Sequence, residues 1–186
     1  MKFVTGMTKL CYVNVFTPRA DLSGKERYSA CVLISKDDKK TLARYNDVIK
    51  TMMADEETVR RMGGRKVLKN AKMPLHDGDV EREDDPNFNN CFYLNAKANP
   101  DYPPLVLDRN REEIVDKNEI YSGVYAQAVL AFYPYNQSGN QGIGVSLLGI
   151  RKIKDGKPIS GNAVSDKDFN DDLLGESDKD DLGDIF

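Results

Sequence analysis

Aromatic and cationic side chains recur together along this chain, on stretches that alternate apolar and polar residues as strands do. The leading rings are Tyr12, Tyr93, Tyr125, Tyr133 and Tyr135, with Phe16, Tyr28, Phe92 and Tyr102 as further candidates. The cations are Arg19, Lys25 and Arg27 early, Arg60, Arg61, Arg65, Lys66 and Lys69 in the middle, and Arg151, Lys152, Lys154 and Lys157 late. A flat ring stacks on an unpaired base for about 1–3 kcal/mol, while Lys and Arg neutralise backbone phosphates. Single-stranded nucleic acid is therefore the first ligand to consider. Any one ring is more often core than platform. Tyr suits the role better than Phe, because its hydroxyl lets the ring stand half exposed. Tyr133 and Tyr135 are the preferred pair, on the strand face opposite Leu130 and Phe132. The Asn and Gln side chains of 136–142, N-Q-S-G-N-Q-G, would add hydrogen bonds to a backbone.

Catalytic constellations are scarce. The single histidine, His76, stands in a polar stretch and reads as a surface residue. A Ser-His-Asp or Cys-His arrangement has no strong candidate. There is no Walker A pattern, no His/Cys cluster at metal-ligand spacing and no sign of a cofactor. Cys11, Cys31 and Cys91 are an odd count at wide spacing and read as reduced, mostly buried thiols. A small carboxylate metal-dependent nuclease is the enzymatic alternative, although most acids lie in solvated runs. The preferred reading is not an enzyme. No apolar run approaches the roughly 20 residues that span a membrane, and the N-terminus lacks the apolar core of a signal peptide. The expected address is cytoplasmic.

Charge divides the chain. From Asp166 to Phe186 there are nine acids and two lysines, about seven negative charges, in a protein whose net charge is −3. The remainder is thus about +4. Residues 1–164 read as one domain, and 165–186 as an acidic tail that is disordered for want of apolar surface to bury. The tail ends on Ile185 and Phe186, an apolar tip with a free carboxylate that a merely solvating tail does not need. It reads as a linear ligand for a protein partner, with Asp180, Asp181, Asp184, Ile185 and Phe186 as the contact residues. It also has the charge to fold back and compete with another polyanion.

The elements that must position the rings follow from periodicity. Lys9–Phe16 alternates, placing Leu10, Tyr12, Asn14 and Phe16 on one face. Arg27–Ser35 is a second strand beyond a long loop. Leu42, Tyr45, Ile49, Met52 and Met53 then recur at helical spacing, with Asp37 or Asp38 to cap the start and Gly63-Gly64 to end a following turn. Residues 60–72 hold six cations and no acid, and 77–85 hold six acids and one Arg; both read as exposed loop. Asn90–Ala98 is a strand, and the proline-rich 100–108 an edge. In Ile120–Tyr135, Val124, Ala126, Ala128, Leu130 and Phe132 share one face, with a bend at Gly123. Ile143–Lys154 returns as a strand to the Asp155-Gly156 turn. The fold class is mainly β: an antiparallel barrel with one main helix.

Tyr121–Asn136, the Gly139–Gly142 turn and Arg151–Gly156 resemble a family of bacteriophage single-stranded DNA-binding proteins, long described as a domain of unknown function. That resemblance implies an OB-fold-like barrel that binds single-stranded DNA without sequence preference, in DNA replication or recombination, inside the infected bacterial host. It also admits a homodimer. The tail's D-D-L-G-D-I-F is similar to the acidic, Phe-ending tails of bacterial and phage single-stranded DNA-binding proteins, which recruit replication or recombination proteins. Ile185 stands where the bacterial tails carry Pro. The helix follows the second strand, where a typical OB-fold has it after the third. Either a further strand lies near Val4 or the fold is elaborated. A non-DNA-binding interaction module or DNA mimic is the second alternative.

Overall fold

The alternation in 125–137 organises the architecture. In the computed structural model, which describes residues 1–21 and 23–159, this stretch is one strand with its even-numbered residues from Ala126 to Phe132 buried. The expected tail, including Asp180, Asp181, Asp184, Ile185 and Phe186, lies outside the described residues. The strands in chain order are β1 Lys2–Val4, β2 Thr8–Ala20, β3 Glu26–Ser35, β4 Leu75–Asp77, β5 Cys91–Ala98, β6 Leu105–Leu107, β7 Tyr125–Gln137 and β8 Asn140–Lys154. The helices are α1 Lys39–Ala54, α2 Glu56–Arg61 and α3 Gly78–Glu81, with 3-10 turns at Arg65–Asn70, Pro86–Phe88 and Lys117–Glu119.

The ladders run β7-β2-β3-β5-β8, and β8 pairs again with β7. This is a mainly β, OB-fold-like order with one main helix. The β5–β8 link is parallel and rests on the pair Lys97↔Ser146. β1 shares with β2 the edge of β7 that β8 leaves free. β6 is an edge strand, parallel to β8, as its flanking prolines suggest. Both alternatives raised by the helix position are realised. A strand does lie near Val4, but it stands outside the circuit of ladders. α1 is inserted between the second and third strands of that circuit.

Asp38 caps α1 by accepting from the Thr41 amide at 3.0 Å. The helix lays Tyr45 and Met52 on the core, where Tyr45 meets Phe3 and Phe132 edge-on at 6.3 and 5.7 Å. Gly63 and Gly64, at φ 104° and 92°, end α2 as expected. Among the described residues no helix is long and apolar enough to cross a membrane.

β2 departs from simple alternation. Tyr12 sits at φ 48°, and the β2–β3 register shifts between Cys11↔Cys31 and Asn14↔Ser29. An extra residue inverts every face beyond it. Leu10 and Val15 therefore point into the core, where the sequence reading had put Asn14 and Phe16 beside Leu10. The acidic run is also more ordered than expected. Asp77 ends β4, which pairs with β5, and α3 follows at once.

Cys11 and Cys31 face each other across β2 and β3, in a small cluster with Leu33, Phe88 and Tyr93. All three cysteines are free thiols. Burial pushes the Cys11 thiol up to about 11 and the Cys31 thiol up to about 12. The folded protein thus keeps protons that the unfolded chain releases above about pH 8.5. Stability is expected to fall as pH climbs through that value and to keep falling until the buried thiols ionise. Burial raises Tyr45 as well, to about 12, and it adds with the same sign. Urea midpoints at pH 8 and 10 test this, together with alkylation of the native thiols. Labelling of Cys11 and Cys31 as fast as a free thiol would contradict the burial.

Candidate nucleic-acid interface

The β7–β8 hairpin turns through Ser138 and Gly139, at φ 51° and 86°, the two positive values that a type I′ turn requires. Just before the turn, Tyr133 and Tyr135 stand on the outward face of β7. Their cross-strand partners are Gly144 and Gly142. The small partners make room: a Cβ on Gly144 would come within 2.4 Å of the Tyr133 ring. Tyr133 is left 44% exposed.

Tyr133 forms the ridge between two hollows. On one side a groove of about 420 Å³ holds Lys25, Arg27, Lys97, Asn99, Gln137 and Ser146, with Asp21 as its acid. Asp21 is occupied: it accepts from the Ser23 hydroxyl and pairs with Lys97 at 3.1 Å. These contacts, Ser23 first, hold its carboxyl well below the usual range. Arg27 donates to Asn99 and lies directly opposite Arg19 in the β2–β3 register. Like charges so placed repel until an anion joins them. On the other side a hollow of about 450 Å³ is lined by Thr51, Met52, Thr58 and Arg61, by Met1, Phe132 and Pro134, and by Asp55 as its acid.

The basic run 60–72 is tied to the same hairpin. The Lys72 amide donates to Gln141 O at 2.9 Å, and Lys72 O accepts from the Ile143 amide at 3.0 Å. Gly142 permits the approach, since a Cβ there would meet Lys72 O at 2.3 Å. Lys66 and Lys69 ride exposed on the 3-10 turn leading to it. Arg60 and Arg65 reach Glu57 and Glu56 only at 3.8 and 3.9 Å, with most of each side chain in solvent. Tyr135 lines a third hollow of about 210 Å³ with Lys72, Met73, His76 and Asn95.

Other expected residues stand apart. Tyr93 is buried, edge-on to Phe88 at 5.1 Å and stacked on His76 at 5.0 Å, with its hydroxyl 3.3 Å from Glu81. Its ring faces are taken, so it serves packing and not base stacking. His76, read as a bare surface residue, is held between that ring and Glu81. Tyr12 is exposed, but its neighbours are Phe88 and Asp85, in acidic surroundings. Tyr125 carries Lys154 Nζ over its ring at 4.8 Å. Lys152 is bound to Asp155 at 2.9 Å and Glu119 at 3.5 Å, and Arg151 donates to Gln127 at 3.0 Å. This group lies eight residues along β7 from Tyr133, about 26 Å at 3.3 Å per residue.

Lys97, Asn99, Asn95 and Ser146 escaped the sequence reading. For Asn95 and Lys97 the signal was there: L-N-A-K-A from Leu94 to Ala98 puts both outward between buried neighbours. Among the described residues, no group of three or more His, Cys, Asp and Glu is arranged to hold a metal ion.

The chain shares 26% identity over 178 residues with a protein named p50 from Acyrthosiphon pisum secondary endosymbiont phage 1, covering 93% of this chain and 94% of that one. Its structure resembles that of the single-stranded DNA-binding protein from bacteriophage Enc34 in complex with ssDNA. The TM-score is 0.70 at 24% identity, over 86% of this chain and 89% of the other. It also resembles gp2.5, a single-stranded DNA-binding protein encoded by bacteriophage T7, with TM-score 0.58 at 13% identity over 95% and 96% of the two chains. At these identities the likeness speaks for the fold. The family profile described as Enterobacter phage Enc34, ssDNA-binding protein, matches residues 1–182, and the chain belongs to that family.

Proposed function

We propose that the protein binds single-stranded DNA without sequence preference, on the outer face of an OB-fold barrel, in phage DNA replication or recombination. One observation carries the path of the strand: a half-exposed Tyr133 between two hollows that both present cations. Bases stack on Tyr133, and on Tyr135 beside it, while Lys25, Arg27, Lys97 and Arg61 take the phosphates. Asn99, Gln137 and Ser146 offer hydrogen bonds to the backbone, which carry no sequence information. The family is one of binding proteins, so the nuclease reading gives way to it.

The acidic segment from Asp166 competes with DNA for the cationic groove, and displacement frees its apolar end for a replication or recombination protein. The charge split between the two parts of the chain supports this. The reading places the protein in the cytoplasm of the infected host and is compatible with a homodimer.

Fluorescence anisotropy with labelled oligo-dT tests the proposal. Binding is expected to resist duplex competitor and to fall with salt, by about 0.7 in log–log slope for each phosphate neutralised. A version ending at Val164 is expected to bind more tightly at low salt. Equal affinity of the two would count against tail competition, and no binding by either would sink the DNA reading.

A further inference from the structure

A second cleft, of about 270 Å³, opens on the outward face of β7–β8 toward the end away from Tyr133. Its walls are Leu105, Leu107 and Val129, and Arg111 and Arg151 stand at it. Gly149 forms the floor, opposite both Val129 and Leu105 in register. The cleft is apolar, of a size for a side chain and not for an extended ligand. Its charged groups are both guanidiniums. Arg151 gives one bond to Gln127, while its Nε is buried without a partner among the described residues. That Nε is closed to a ligand, so a carboxylate would answer these guanidiniums through their terminal nitrogens. The cleft therefore asks for an apolar side chain next to an acid.

We infer that it takes an apolar side chain of the segment Asp184-Ile185-Phe186 of the same chain, with the acid at the arginines. That segment has the required chemistry: an acid followed directly by two large apolar side chains. Charge favours it, since the residues from Asp166 onward carry about seven negative charges and the rest of the chain is cationic. Reach permits it. The last described residue, Ile159, donates its amide to Ser122 O at 2.7 Å, so the chain leaves the body near the start of β7. Gln127, at the cleft, is five residues from Ser122, about 17 Å of strand. The 25 residues from 160 to 184 extend to about 90 Å at most. Tethering makes the encounter intramolecular and raises the local concentration of the segment. The inference rests on the reading that the tail acts on the body, and names where its apolar end sits. A partner that reads this segment must first draw it out of the cleft, so availability of the tail is set by Arg111 and Arg151.

The test compares amide and arginine Nε–H NMR shifts of the full chain with those of an Ile185→Ser/Phe186→Ser double variant. The expected changes fall at Leu105, Val129, Gly149, Ile150 and the two arginines. R151Q, or R111Q where R151Q fails to fold, is expected to move the tip resonances to the positions they take in unfolded peptide. Changes confined to Lys25, Arg27, Lys97 and Tyr133 would overturn the cleft assignment and leave tail competition standing. No change anywhere in the body would overturn both. Changes that vanish on tenfold dilution would give the cleft to a second copy's tail. Shifts at the cleft produced by oligo-dT, but not by the double variant, would give it to DNA.

Discussion

Tyr133→Ala is expected to weaken binding to oligo-dT by about 5- to 150-fold, the equivalent of the 1–3 kcal/mol that one stacked base contributes. The ring is exposed on a rigid strand, so little entropy is spent in placing it. It divides the two hollows, so any strand running from one to the other passes over it. Stacking needs the ring and not the hydroxyl, and Tyr133→Phe is expected to stay within about twofold of the parent. Alanine also uncovers Gly144, so urea unfolding must accompany the titrations. A loss below about twofold in a variant of parental stability would take Tyr133 off the path. The alternative end, around Tyr125 and Lys154, would then inherit the role.

One residue back, the expected effect moves from binding to folding. Phe132→Ala is expected to cost about 3–5 kcal/mol, the range for removing a buried aromatic ring. Phe132 is 1% exposed and touches rings from two other elements, Phe3 at 5.4 Å and Tyr45 at 5.7 Å. Its backbone also holds the N-terminus, since the Met1 amino group donates to Phe132 O at 2.7 Å. Three elements meet at this one side chain. At about 2–4 °C per kcal/mol for a chain of this length, the melting temperature is expected to drop by about 6–20 °C. A loss under about 1 kcal/mol would mean that the surrounding rings collapse onto the gap.

The contrast between neighbours on β7 was legible from the sequence, because strict alternation over 124–135 fixes which side of the strand is core. The helix start was legible too, since an Asp three residues before a Thr amide is a local device. What local pattern does not carry is long-range. The bulge at Tyr12 depends on how β2 must bend to pair with both β3 and β7, and it put Val15, not Asn14, on the buried side with Leu10. Tyr93 read as a strand tyrosine like any other. Only the tertiary fold brings His76, Phe88 and Glu81 around it and removes it from the surface. The converse holds for Lys97: the alternation marked it as outward, but only the β5–β8 pairing brings it across from Tyr133. Lys152 shows the limit of counting charges, since its cation is spent on Asp155 and Glu119.

β5 and β8 meet in the single pair Lys97↔Ser146, against two pairs between β2 and β7 and longer ladders between the other neighbours of the circuit. Backbone opening starts where the fewest rungs must break together, and that seam is the natural place for the sheet to breathe. Lys97 and Ser146 both line the groove beside Tyr133. A strand of DNA laid there touches both lips of the seam and acts as a clasp across it. Binding and closure of the seam are then one equilibrium seen from two sides: whatever loosens the seam taxes affinity, and whatever fills the groove slows the breathing.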